Sequence, residues 1–484
     1  MRILVLNGSP KGKNSITLQT IEYLKILFPD HEWETLHVGQ RIRALEKDFA
    51  PAAEALVRAE LVLFSYPVYT FIAPAQLHRF VELMKEHAVD VRGKWASQIS
   101  TSKHFYDVTA HRYVMENAQE MGMKFVRGLS ADMDDLTCER GQQEAVSFFN
   151  HLMWCIERGL CEPDLPVQPE PAHVPVTPVG DSLGQRESSL PAPSGDSLSQ
   201  RASSLPAPSG RELLGAEKPG DVVILTDCRL EDTQLAAMIE RFRAVCPKKT
   251  RVINIREYPF RGGCLGCFQC AASGKCIHKD NFDEFLRSEI QSAEAEVQAF
   301  TISDHGMSAA FKRYSDRQFC NGHRTVRMGT PIGYIVSGNY RHEENLRMIL
   351  EGRAEVGGNF LCGVATDEVN TDAAIDALAQ KLAWAMDNHH TQPKNFLGVG
   401  GMKIFRDLIW LMQGLMREDH RFFKTHGQYD FPQKHRGRML AMYLVGFLMG
   451  NKTLQKKAGG KMTEGMLMPY NKVLEKARKE AESR

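Results

Sequence analysis

Residues 162–219 divide this chain into two globular stretches. The segment is rich in Pro, Ser, Gly and Gln and holds a fifteen-residue tandem repeat, Gly180–Ser194 followed by Gly195–Ser209. Such a composition carries too little apolar surface to offset its ordering entropy. It is therefore expected to be a disordered, partly extended linker. A solenoid needs longer units and more copies, and recognition of the Pro-rich stretch by another protein is the other reading. A chain of 484 residues exceeds one ordinary core. The expected division is a first domain at 1–160, the linker at 161–220, a second domain at 221–392 and a C-terminal region at 393–484.

Strand, loop and helix alternate on both sides of the linker. In the first stretch Ile3–Leu6 reads as a strand, followed by a loop and a helix from Ser15 to about Leu27. Leu61–Ser65 and Trp95–Ser100 read as further strands. The second stretch repeats the plan with Asp221–Thr226, a helix from about Asp232 to Val245, then Thr250–Ile255, Val297–Ser303 and Ile332–Ser337. This alternation implies parallel sheets covered by helices. The element order makes the two stretches look like divergent copies of one domain. Beyond residue 393, Phe405, Leu408, Ile409, Met412 and Leu415 recur at helical spacing. That region reads as a helical extension packing on the second domain, with a peripheral membrane or partner surface as the alternative. The tail after Asn451 is basic.

Four cysteines, Cys264, Cys267, Cys270 and Cys276, fall in a C-x2-C-x2-C-x5-C run. Four thiolates so close together suit one compact iron–sulfur cube. Structural zinc more often uses two C-x2-C knuckles set further apart, and plain thiols or a disulfide also fit. His278 is a polar neighbour rather than a fifth donor. The seven scattered cysteines read as small buried hydrophobes by default.

The loop Gly8-Ser-Pro-Lys-Gly-Lys-Asn-Ser15 joins a strand to a helix, which aims backbone N–H groups and the helix dipole at one spot and suits a phosphate. It is one residue short of a Walker loop and lacks that motif's Ser/Thr. It is not the G-x-G-x-x-G dinucleotide loop either. No Ser/His/Asp set, paired-carboxylate signal or H-E-x-x-H is present.

The pattern Asn7-Gly-Ser-Pro-x3-Asn-Ser-x-Thr17, with Ser65-Tyr-Pro-Val-Tyr-x4-Pro-x2-Leu77 after a later strand, resembles the flavodoxin-like NAD(P)H-dependent FMN reductases. The cysteine loop followed by Asp280 and Phe282-x2-Phe285 resembles the iron–sulfur flavoproteins of that superfamily. The resemblance spans roughly 1–150 and 221–370. It implies an α/β chain of two flavodoxin-like doubly wound parallel-sheet domains in tandem, with a C-terminal helical extension. It also implies FMN, a 4Fe-4S cluster on the four cysteines, and NAD(P)H as co-substrate. Ser9, Lys11, Asn14, Ser15 and Thr17 would hold the FMN phosphate. Pro67, Val68 and Tyr69 would lie along the ring, with Thr101 and Ser102 flanking it. The flavin supplies the reactive atom, so no catalytic side chain is expected.

The two loops are divided between the stretches. The first has Leu36–Arg43 where a cysteine loop would stand. The second has Thr226–Thr233 in place of the phosphate loop, with Asp227, Glu231 and Asp232 set to repel a phosphate. The expectation is a pseudo-dimer in which the first half binds FMN, the second carries the cluster, and the two centres face each other.

The implied function is a flavin-dependent oxidoreductase passing electrons from NAD(P)H to a small-molecule or protein acceptor, such as a small redox protein. The alternative is an electron-transfer or redox-sensing flavoprotein with no small substrate of its own. A net charge of +1 gives no reason to expect nucleic acid. Eleven cysteines, an odd number with four in one loop, argue for a reducing interior. With no signal-peptide pattern and no apolar run long enough to span a bilayer, a cytoplasmic protein is expected. A homo-oligomer is compatible with all of this.

Overall fold

A computed structural model describes residues 1–179 and 220–449, with a few helical positions between 475 and 482. The tandem repeat and most of the basic tail lie outside the described residues. Met1–Phe422 form one compact unit and Phe423–Arg484 another.

The first domain runs β1 (Arg2–Asn7), α1 (Ile16–Leu27), β2 (Glu32–Leu36), α2 (Val38–Leu45), α3 (Ala50–Arg58), β3 (Leu61–Pro67), α4 (Ala75–Glu86), β4 (Trp95–Ser102), α5 (Asp107–Glu120), β5 (Lys124–Phe125), β6 (Leu129–Asp132) and α6 (Glu139–Arg158). The second runs β7 (Val222–Thr226), α7 (Thr233–Val245), β8 (Thr250–Asn254), α8 (Gln269–Ser273), α9 (Phe282–Phe285), β9 (Ala295–Thr301), α10 (Ala309–Arg317), β10 (Pro331–Ser337), α11 (Glu344–Gly357), β11 (Phe360–Thr366) and α12 (Thr371–Asp387). Helices α13 (Phe396–Leu411), α14 (Arg417–Thr425) and α15 (Arg436–Met449) follow.

The first sheet is ordered β2-β1-β3-β4-β5, with β6 also paired to β4, and the second β8-β7-β9-β10-β11. Every pairing is parallel. Both orders are 2-1-3-4-5, the flavodoxin-like arrangement. The central strands are apolar runs such as Leu61–Phe64 and Val222–Leu225, buried throughout, as strands covered by helices on both faces must be. The edge strand β2 carries Glu32 and Glu34 and was not singled out in the sequence, because its alternation is weak.

The domains meet through α4 and α10 by an exchange of helix caps. Glu82 of α4 accepts a hydrogen bond from the Ala309 N–H that opens α10, at 2.6 Å. Asp316 of α10 accepts one from the Ala75 N–H that opens α4, at 2.8 Å. Each carboxylate stands two turns along its own helix and meets the positive end of the other. The relation is that of a two-fold interface, in which residue i touches j and j touches i. Asp316 also pairs with Lys312, whose Nζ crosses to the Tyr69 carbonyl at 2.8 Å and the Thr70 hydroxyl at 2.7 Å. Both members of this ion pair are buried. The first domain's core continues across the contact to Ile349 and Val356 of α11.

Two segments differ from their sequence reading. Residues 162–179, placed in the linker by composition, are bonded to both domains: the Glu162 N–H donates to the Phe125 carbonyl of the first at 2.7 Å, and from Gln168 onward the segment is bonded to the second. The Val174 N–H donates to the Asp367 carbonyl at 2.7 Å, and Arg241 donates to the Thr177 carbonyl at 2.8 Å. Backbone bonds of this kind leave no trace in composition. Helix α13 packs not only on α11: Phe405 stacks on Phe105 of the first domain with centroids 4.4 Å apart. Among the described residues no helix is long and apolar enough to cross a membrane.

Two predictions follow from the contact between the domains. Asp316→Ala leaves Lys312 a buried, unpaired cation and is expected to cost about 3–5 kcal/mol, read by urea unfolding. Adding Lys312→Met should restore most of the loss. The second concerns His305, which faces Glu343 at 3.1 Å, Glu120 of the first domain at 3.4 Å, and Glu116. Burial lowers its pKa, but hydrogen bonds to Glu120 and Glu343 outweigh this and raise it from 6.5 to about 9. A raised base stabilises fully below its unfolded value. This contribution is therefore complete below pH 6.5 and lost as pH rises through about 9. Burial pushes the Glu116 carboxyl up to about 7, so its ionisation removes stability in the same direction at lower pH. Denaturant midpoints should fall between pH 6.5 and 9, and His305→Asn should flatten that part of the profile.

Candidate active site

The loop after β1 is built by its own side chains. Asn7 Nδ2 donates to the Gly12 carbonyl at 2.9 Å, and Asn7 Oδ1 accepts from the Ser9 N–H at 3.2 Å. Gly12 has φ +55°, and a Cβ there would lie 2.4 Å from Gln40 Oε1. Helix α2 presses so closely that a Cβ on Gly39 would come within 2.3 Å of the Gly8 carbonyl oxygen. Ser15 precedes α1 in extended conformation, and its hydroxyl does not cap the helix. The first-turn N–H groups and the dipole of α1 are left for an anion.

Above this loop lies a cavity of about 430 Å³. Ser9, Lys11, Ser15, Thr17, Pro67, Val68, Tyr69, Thr101 and Ser102 line it. Asn14, marked by the same motif, is exposed and stands outside the wall. Thr17 Oγ1 and Thr101 Oγ1 lie 2.6 Å apart, joining the start of α1 to the end of β4. A Cβ on Gly8 would lie 2.8 Å from Leu77, which fixes the loop against α4.

The opposite wall comes from the second domain. Cys264, Cys267, Cys270 and Cys276 all line the same cavity. Their loop is docked on the first domain: Gln76 Nε2 donates to the Cys264 carbonyl at 3.2 Å, and Arg43 donates to the Arg261 carbonyl. Lys11 Nζ stands 5.7 Å from the Phe268 ring centroid. Gly266 has φ +61°, and a Cβ there would lie 1.9 Å from the Tyr69 hydroxyl. Only glycine fits at position 266, between Cys264 and Cys267.

Residues 1–134 match the NADPH-dependent FMN reductase family. The match lies within the first domain and supports flavin-dependent oxidoreduction. The chain is also 28% identical over 173 residues to an iron-sulfur flavoprotein of Archaeoglobus fulgidus, a similarity covering 34% of this chain and 78% of that protein. A solved NADH:FMN oxidoreductase in its apo form is similar at 19% identity and a TM-score of 0.28, covering 32% of this chain and 88% of the other. An NAD(P)H:quinone oxidoreductase from Methanothermobacter marburgensis stands at 14% and 0.26, covering 32% and 97%. The fold rests on the 2-1-3-4-5 strand order of each sheet.

Two hydrogen-bond donors point at sulfurs of the cysteine loop. The Gly266 N–H donates to Cys264 Sγ at 3.4 Å, and Arg317 donates to Cys276 Sγ at 3.7 Å. Among the described residues no three of these sulfurs gather within 4.8 Å of one another. Burial raises the Cys264 thiol strongly and pushes Cys270 up to about 11. A coordinating cation reverses this by deprotonating the thiol outright. His278 Nε2 lies 3.0 Å from the Gly263 carbonyl, which accepts its hydrogen.

The second domain's own first loop is filled. Asp227 is buried, accepting from the Ser308 hydroxyl and from Arg256 at 3.3 Å, while Arg256 Nε donates to the Asp227 carbonyl at 2.6 Å. Burial raises the Asp227 carboxyl. The scattered cysteines divide: Cys155, Cys246, Cys320 and Cys362 are buried and Cys228 is half-buried, but Cys138 and Cys161 are exposed, standing just before and just after α6.

Sequence reasoning missed Arg317, whose position in α10 carries no motif. It forks onto Asp280 at 2.8 and 2.7 Å, donates to the Gly262 carbonyl at 2.9 Å, and lies 5.0 Å from the Phe282 ring. Burial raises the Asp280 carboxyl, but Arg317 more than offsets it, bringing the carboxyl down to about 2. Arg317→Met should destabilise the protein by about 3–5 kcal/mol, because Asp280 loses its partner. In metal-free protein it should also slow thiol modification of Cys276 several-fold, because the neighbouring guanidinium favours the reactive thiolate, scored by mapping the labelled cysteine.

Proposed function

We propose that the chain is an NAD(P)H-dependent flavin oxidoreductase with a two-part redox site. In this reading the first domain holds FMN and the second holds a 4Fe-4S cluster, with the partition close to 1–160 and 221–392. The observation that carries it is a single cavity lined on one side by Ser9, Ser15 and Thr17 and on the other by all four cysteines.

Ser9, Ser15, Thr17 and the first turn of α1 would receive the phosphate, with Lys11 at the rim. Pro67, Val68 and Tyr69 offer a flat apolar wall, and Thr101 and Ser102 bring polar atoms to the end of β4. When bound, FMN would accept a hydride from NAD(P)H and release electrons singly, which the cluster would pass to the acceptor. The chain's own part is to position and shield: Tyr69 and Gly266 close the gap between the walls, and Arg317 and the Gly266 N–H donate to thiolate sulfur. All eleven cysteines are free, in keeping with the reducing cytoplasm as the compartment.

Anaerobic purification should yield about one flavin with about four iron and four sulfide per chain, and NADPH should reduce the flavin. Ser15→Ala with Thr17→Ala should weaken flavin retention about 10- to 100-fold, since charge-assisted hydrogen bonds contribute about 1.5–3 kcal/mol, while iron stays. Cys264→Ala with Cys276→Ala should lose iron while flavin stays. Zinc without flavin would overturn the reading. Flavin that a reduced ferredoxin reduces but NADPH does not would replace it with a relay protein.

A further inference from the structure

We propose that the second-domain end of the cavity is a binding site for a small carboxylate with an apolar body, held by Arg353. This goes beyond the flavin reading and stands without it. The cavity runs past the cysteine loop to Tyr334 of β10 and Arg353 and Val356 of α11, with Phe71 and Phe405 completing the wall.

Arg353 is the anomaly there. Its guanidinium has five N–H donors. The one hydrogen bond it makes goes to Met307 Sδ at 3.6 Å, a weak acceptor. Its other partner is the Phe71 ring, 5.8 Å from Cζ. Among the described residues no carboxylate lies within ion-pair distance of it. The acids whose charge reaches it are engaged elsewhere. Asp316 serves Lys312, Thr70 and the Ala75 N–H, and Glu296 serves Arg327 at 2.9 Å and Gln298 at 2.7 Å. Arg353 keeps part of its surface open, and it lines the cavity. Beside it the Tyr334 hydroxyl is buried with no hydrogen-bond partner. A largely buried cation without a counter-charge is costly, and Arg353 lines the cavity.

The chemistry selects the ligand. One planar guanidinium with an adjacent hydroxyl matches the two oxygens of a carboxylate. The other second-domain guanidinium groups that line the cavity are committed, Arg317 to Asp280 at 2.7 Å, Arg324 to Asp419 at 3.4 Å and Arg327 to Glu296 at 2.9 Å, so Arg353 is the one left for a ligand, and a phosphate dianion would call for more than one. Phe71, Val356 and Phe405 provide the apolar contact for the body.

The test is binding of benzoate, with neutral benzamide as its isostere, to the full chain as purified, by calorimetry and thermal shift. Benzoate should bind at least about 10-fold tighter than benzamide, since a charge-assisted fork is what separates them, and should raise the melting temperature. Arg353→Met should lose that about 10-fold preference while the ligand-free melting temperature holds or rises, because an unpaired buried charge is removed. Should that variant fail to fold, Arg353→Lys, which keeps the charge without the fork, should lose benzoate affinity about 5-fold. Equal binding of benzoate and benzamide, no benzoate binding at all, undiminished benzoate binding by the variants, or stronger protection by inorganic phosphate at this site than by benzoate would each overturn the proposal.

Discussion

The exchange of caps between α4 and α10 is the contact on which the rest of the molecule depends. Glu82 and Asp316 each neutralise the open end of the other helix, and the Lys312–Asp316 pair is sealed beneath them. Neither domain can satisfy these groups alone. A separated first domain would leave the α4 N-terminus without its acceptor, and a separated second domain would leave Lys312 without the Tyr69 carbonyl and Thr70. The cost of unpaired buried groups therefore holds the domains at one fixed approach. That approach sets the cysteine loop over the phosphate loop.

The two sheets share one strand order, yet their loops have diverged in opposite senses. In the first domain Gly39 of α2 presses on the Gly8 carbonyl and braces the phosphate loop. In the second, Arg256 and Ser308 close on Asp227 where an anion would otherwise sit. A two-fold frame thus produces one composite cavity rather than two equivalent ones. Helix α13 adds to this asymmetry by laying Phe405 against Phe105 and His323 at the cavity's edge.

Much of this was legible in the chain. Apolar runs such as Leu61–Phe64 announced central strands, and the Gly-Ser-Pro and four-cysteine loops announced where chemistry collects. Asn14 shows the limit of motif reading, because the turn through Gly12 carries its side chain outward to solvent. Residues 162–179 show another. Their order comes from backbone bonds to Asp367 and Arg241, which lie far away in sequence. Arg317 and Arg353 carry no local signal, since what distinguishes them is which carboxylates are near and which are already taken.

The sequence by itself determined the layers, the strand–loop–helix order, and the division of the phosphate loop and the cysteines between two halves. These follow from local periodicity and from residue types whose chemistry is fixed wherever they stand. Only the tertiary structure decided that the two loops face one cavity, that α13 walls it, and that Arg353 stands in it without a counter-charge. These facts depend on distances between groups hundreds of residues apart. Burial and pairing at those distances are properties of the packed whole, which no stretch of chain encodes alone.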